Sequence, residues 1–159
     1  MKQALVISGG GSKGAFSVGV IKELVTIYQT RFDILVGTST GALIIPLAAL
    51  GEMDQLEKLY TTVTDADIIV KYNIGKRLGT TSIFTAGPLT AQIDTLYTDA
   101  FFKRLQDSGK EIYLTTVCLQ TEELVVFTTA SNPVETSYYT IRKIVNGDQF
   151  RRAVLASAR

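Results

Sequence analysis

The tightest constraint on this chain is a junction that occurs twice. Gly9-Gly10-Gly11-Ser12-Lys13-Gly14 and Gly37-Thr38-Ser39-Thr40-Gly41 each separate a short apolar run from a longer apolar stretch. The runs at 4–8 and 32–36 read as short strands buried on both faces, as in the interior of a parallel sheet. After the first junction Phe16, Val20, Ile21, Leu24, Val25 and Tyr28 recur at three- and four-residue spacing, which predicts a helix over 15–28 with that stripe on the sheet. After the second, residues 42–50 are apolar throughout and predict a buried helix ended by Gly51. Pro46 removes a donor there and crowds the Ala42 carbonyl, so a kink is expected. Two consecutive strand-loop-helix units bring both loops to the carboxyl edge of one sheet.

The remaining pattern supports the same class. A short helix is expected over 54–62, whereas 64–88 has no clear period. Leu89, Ile93, Leu96, Tyr97, Ala100, Phe101 and Leu105 share one helical face, predicting a single helix over 89–105 that stops at Ser108-Gly109. Two β-branched-rich runs, 111–119 and 123–130, flank Gln120-Thr121-Glu122 and predict a hairpin, and 148–158 reads as a closing helix. No internal repeat or linker composition divides the chain. The expectation is one α/β domain over 1–159, a three-layer α/β/α arrangement on a mainly parallel sheet.

Composition removes several function classes. Sixteen basic against 15 acidic side chains give a net charge of +1, which argues against nucleic acid as a partner. There is no histidine, so a Ser-His-Asp triad and imidazole-based zinc sites are unavailable, and Cys118, the only cysteine, has no disulfide partner within the chain. Asp65, Asp67 and Asp94 lack the spacing of a carboxylate metal site, and neither metal nor cofactor is expected. Cys118 reads as a packed thiol, Tyr138-Tyr139 as packing, and Lys76-Arg77 and Lys103-Arg104 as solvated faces. The apolar stretch at 42–50 is far shorter than the roughly 20 residues that cross a bilayer, and the first residues lack a signal-peptide core, so a cytoplasmic location is expected.

Both junctions carry candidate chemistry. Gly37-Thr38-Ser39-Thr40-Gly41 fits G-x-S-x-G, the turn that exposes a nucleophilic serine between a strand and a helix. Glycine is needed at its ends because the two backbones come too close for a Cβ. The first junction admits two readings. Gly9, Gly11 and Gly14 satisfy the dinucleotide pattern G-x-G-x-x-G, with Asp33 at 19 residues beyond Gly14. That acid belongs at the end of the second strand, however, and Asp33 lies at its start. A P-loop is excluded because Ala15, not lysine, follows Gly14. Alternatively, the loop offers backbone N–H groups at a helix N-terminus to a developing oxyanion, next to Ser39.

Taken together, Gly9 to Phe16 and Phe32-Asp33 through Gly37-Thr38-Ser39-Thr40-Gly41-Ala42 resemble the patatin-like phospholipases. The resemblance is clear over residues 4–50, weaker through the middle, and returns at 150–158, where Arg152-Ala153-Val154-Leu155-Ala156-Ser157 is similar to the segment before the family's closing part. It implies a lipid acyl hydrolase with a Ser–Asp dyad, a lipid or phospholipid substrate and peripheral membrane contact. It implies Ser39 as nucleophile and Gly10 and Gly11 as oxyanion-hole glycines, joined by the Thr40 amide. Lys13 falls at the family's Arg/Lys position, and Gly9, Gly14, Gly37 and Gly41 support the motifs. The family's D-G-G or D-G-A aspartate has no counterpart here. Asp148 follows a glycine but does not match, so the base is expected beyond Arg159 and this form is expected to be impaired. Two other readings compete: a nucleotide-binding module, and a non-catalytic lipid-binding or regulatory protein.

Overall fold

The computed structural model describes residues 1–62, 70–71, 84–85, 87–134 and 136–158. Strand β1 (Ala4–Ile7) leads through the first glycine turn and a single 3-10 turn (Gly11–Lys13) into α1 (Gly14–Thr26). Strand β2 (Ile34–Thr38) is followed after one residue by α2 (Thr40–Leu50), and α3 (Met53–Thr62) packs behind it. A small antiparallel pair, β3 (Val70–Lys71) and β4 (Phe84–Thr85), precedes α4 (Gly87–Leu96) and α5 (Asp99–Asp107). The hairpin β5 (Glu111–Cys118) and β6 (Glu123–Thr128), strand β7 (Thr140–Lys143) and α6 (Gly147–Ala158) complete the order.

Among the described residues five strands form one sheet in the order β1-β2-β5-β6-β7, parallel at every pair except the β5/β6 hairpin. The fold is therefore α/β on a mixed, mostly parallel sheet. Its register decides where the loops meet. Ile7 lies opposite Gly37, Gly37 opposite Leu114, and Thr38 opposite Thr115, so β1 and β2 end level with the middle of β5, at one edge of the sheet. Leu5, Leu35, Ile112 and Leu114 are buried toward the helices, with α2 and α6 against this face. Nine of the eleven α2 residues are buried, which accounts for a helix apolar all round. It runs on through Pro46 and ends at Gly51 in the left-handed conformation, φ 71°.

Three local expectations are corrected. Strand β1 is not buried on both faces: it is an edge strand, with Leu5 buried and Val6 68% exposed. Helix α1 buries Val18 and Ile21 against α2 and α3, leaves Phe16 exposed and ends before the exposed Tyr28, so its apolar stripe is rotated from the one expected. The single helix expected over 89–105 is two helices, broken at Tyr97-Thr98. The Thr98 hydroxyl accepts the Phe101 N–H at 3.2 Å and caps α5, which stops α4 from running on. Buried Tyr97 contacts the rings of Phe101 and Phe150 edge-on, and its hydroxyl donates to the Leu43 carbonyl in α2. That carbonyl is next to the one Pro46 leaves without its helical donor. Residues 64–88, which show no clear period, fall mostly outside the described residues, as do Asp65, Asp67, Lys76 and Arg77.

Candidate active site

The second glycine motif straddles a change of secondary structure. Gly37 and Thr38 end β2, Thr40 and Gly41 begin α2, and Ser39 alone makes the turn, at φ 53° and ψ −117°. A positive φ in a non-glycine residue costs about 1–3 kcal/mol and persists only where its surroundings hold it. Here they do. A Cβ on Gly37 would stand 2.6 Å from the backbone of Gly41, and one on Gly41 only 2.1 Å from the Ile7 carbonyl oxygen of β1. Strand, turn and helix are thus in backbone contact, and no side chain larger than hydrogen fits at either end of the motif.

The first glycine turn lies against this elbow. A Cβ on Gly9 would be 3.0 Å from the Ser39 Cβ and 3.6 Å from its Oγ. Gly14 is closed in by Thr40, whose Cγ2 would be 2.3 Å from an added Cβ, and by the Tyr60 ring at 2.7 Å. Burial pushes the Tyr60 phenol above its usual range, so the ring packs there as a neutral group. The buried Thr40 hydroxyl donates to the Gly11 carbonyl at 3.1 Å and ties the two turns together. Gly10 and Gly11 are in open surroundings: an added Cβ would have only the Lys13 Cβ, at 3.5 Å, near Gly10 and nothing within 4 Å of Gly11. Gly11 adopts φ 57°. Among the described residues the N–H groups of Gly10, Gly11 and Thr40 donate to no acceptor. Exposed Lys13 precedes α1 and donates its backbone N–H to the Gly10 carbonyl at 3.2 Å.

The structure thus brings Gly9, Gly11, Gly14, Ser39 and Thr40 into one contact group, framed by Gly37 and Gly41. It separates Asp33, which sits at the opposite end of β2 and accepts the Gln3 N–H at 2.8 Å. Asp148, in the first turn of α6, pairs with Arg152 at 2.9 Å. At 1.5 Å per residue it lies roughly 13 Å along that helix from Ser157, the end that meets the elbow. Cys118, where β5 ends, is half-exposed, and the Thr121 hydroxyl and neighbouring N–H groups hold its thiol below the usual range. It adjoins the hairpin turn, away from Ser39.

One participant was not singled out in the sequence. The Ser39 N–H donates to the Ser157 Oγ at 2.9 Å, and that hydroxyl donates to the Thr115 carbonyl at 2.7 Å. Ser157 lies on the face of α6 that buries Phe150, Ala153 and Val154. A serine at a position that the helical period assigns to the core is a hydroxyl in need of partners, and that was the available signal.

The chain is similar in sequence to known proteins. Over 64 residues the chain is 47% identical to the cUMP-AMP-activated phospholipase of Escherichia coli, covering 37% of this chain and 20% of that protein. It is 31% identical over 117 residues to the uncharacterized protein YjjU of Escherichia coli strain K12, covering 70% of this chain and 31% of the relative. The matched regions are therefore under a third of either relative's length. The sequence model of the patatin-like phospholipases matches residues 5–159, the second β-strand unit and the last helix included, and on that match the chain belongs to the patatin-like phospholipase family.

Proposed function

We propose that this protein is a serine hydrolase of lipid carboxylic esters. The Ser39 Oγ attacks the ester carbonyl carbon, its proton passes to a carboxylate base, and the carbonyl oxygen takes the negative charge. The N–H groups of Gly10 and Gly11, with that of Thr40, hold this oxyanion. Donors so placed contribute about 3–4 kcal/mol each, because they are fixed before the charge develops. Collapse breaks the bond to the leaving alkoxide, which takes up a proton, and water then releases the acyl group from Ser39. Gly9, Gly14, Gly37 and Gly41 give the two turns room to meet, and Lys13 stands beside the oxyanion site as a positive charge. Substrate is met at a lipid surface through peripheral contact.

The observation that carries this reading is Ser39 itself, held at φ 53° between strand and helix with its Oγ beside Gly9. A fluorophosphonate probe, applied to the intact gene product, tests it directly. The expected result is a covalent adduct on Ser39 that the Ser39→Ala variant does not form, with lipid ester hydrolysis lost in parallel. Adduct formation elsewhere, or equal hydrolysis by the variant, would overturn it. A second reading, a non-catalytic lipid-binding protein, draws on one feature: among the described residues no carboxylate is hydrogen-bonded to the Ser39 hydroxyl. It predicts lipid binding with no adduct at any serine.

A further inference from the structure

We infer that Ser157 is a positioning residue for the nucleophile, acting on the peptide unit that joins Thr38 to Ser39; this rests on Ser39 being the nucleophile. The two ends of that peptide face opposite ways. The Thr38 carbonyl oxygen lies on the glycine-turn side, 3.7 Å from where a Gly9 Cβ would stand, while the Ser39 N–H points to the Ser157 Oγ at 2.9 Å. Relief of the positive φ at Ser39 by rotation of this peptide swings the N–H off Ser157 and the Thr38 carbonyl off the glycine-turn side. The Ser157 hydroxyl opposes that rotation.

Its own orientation is fixed. Ser157 is 6% exposed, and its proton is committed to the Thr115 carbonyl of β5, so an oxygen lone pair faces the Ser39 N–H. The Thr115 side chain in turn is hydrogen-bonded to the Thr38 side chain across the β2/β5 pair. Three hydrogen bonds and the Thr38–Ser39 peptide therefore close a ring through Thr38, Ser39, Ser157 and Thr115 around the turn. The same ring accounts for the Ser39 N–H: it is engaged by Ser157, which leaves the oxyanion to the amides of Gly10, Gly11 and Thr40.

A purely anchoring role for Ser157 is separable from this one, because the same end of α6 has a second tie: the Thr116 hydroxyl donates to the Ala156 carbonyl at 2.8 Å. The experiment compares Ser157→Ala with Thr116→Val, measuring the melting temperature and the rate of fluorophosphonate labelling at Ser39 well below it. The expected result is at least an about tenfold slower labelling in Ser157→Ala, with Thr116→Val within about twofold of wild type. Labelling by Ser157→Ala at the wild-type rate, or an equal slowing in both variants, would overturn the inference while leaving Ser39 as nucleophile. No labelling of the wild type would overturn both. If the alanine variant does not fold, Ser157→Cys, whose sulfur is a weaker acceptor, is read against the same outcomes.

Discussion

The two glycine-bearing turns use the same residue for opposite purposes. At the elbow, Gly37 and Gly41 are glycines because there is no space: backbone atoms occupy the positions their Cβ would take. In the first turn, Gly10 and Gly11 stand in open surroundings, and what they offer is N–H groups left unengaged by the described residues. Gly14 belongs with Gly37 and Gly41, although it lies at the end of the first turn, because the Thr40 and Tyr60 side chains close over it. A glycine-rich motif is therefore not one signal. Close packing demands glycine for the fold, open placement allows it for chemistry, and only coordinates tell the two apart.

Substitutions at these glycines separate the two kinds. The largest effect is expected for Gly41→Ala, whose methyl meets the Ile7 carbonyl oxygen: a loss above about 3 kcal/mol by urea unfolding, with labelling at Ser39 abolished. Gly14→Ala meets flexible side chains instead and should lose about 1–3 kcal/mol. Adding Thr40→Ser removes the Cγ2 that stands in the way and keeps the hydroxyl on Gly11, so the double variant should regain part of that loss; no recovery would show that the Tyr60 ring is the obstacle. Gly11→Ala has space but requires a positive φ, and about 1 kcal/mol of destabilisation is expected. Gly10→Ala has neither obstacle and should unfold within about 0.5 kcal/mol of wild type.

The smallest effect lies far from both turns. Lys2 donates to Glu111 at the amino end of the strands and holds that carboxyl below its usual range. A carboxyl pKa depressed by folding gives stability that is present above its unfolded value, near about 4.3, and lost as pH falls through the folded value. Glu111→Gln should flatten that acid limb in thermal melts and leave the labelling rate at Ser39 unchanged. A changed rate would mean that the two ends of the sheet are coupled.

Much of this arrangement was legible in the sequence, for reasons tied to particular residues. The apolar runs before Gly9 and Gly37 locate β1 and β2, although β2 begins at Ile34 and not at Phe32, which is buried just before the strand. The hairpin at Gln120-Thr121-Glu122 follows from β-branched runs on both sides. The break at Tyr97-Thr98 was hidden because the stripe from Leu89 to Leu105 keeps helical spacing across it, and the capping signal Thr98-Asp99 is short. Strand β7 is only Thr140–Lys143, half of it exposed, so it carries no alternation to detect. The face of α1 was misjudged because two apolar stripes coexist on it, and only the packing partners, α2 and α3, select between them. The contact of Gly9 with Ser39 and the bond from Ser39 to Ser157 depend on strand register, which no local pattern encodes.

The proposed hydrolysis requires that the hydroxyl of Ser39 and the amides of the first glycine turn address one atom. A crystal structure of the protein with a fluorophosphonate bound to Ser39 measures this directly. The expected position of the phosphonyl oxygen is about 2.7–3.1 Å from the backbone nitrogens of Gly10 and Gly11. A phosphonyl oxygen turned to solvent or toward α6, with those amides unengaged, would contradict it.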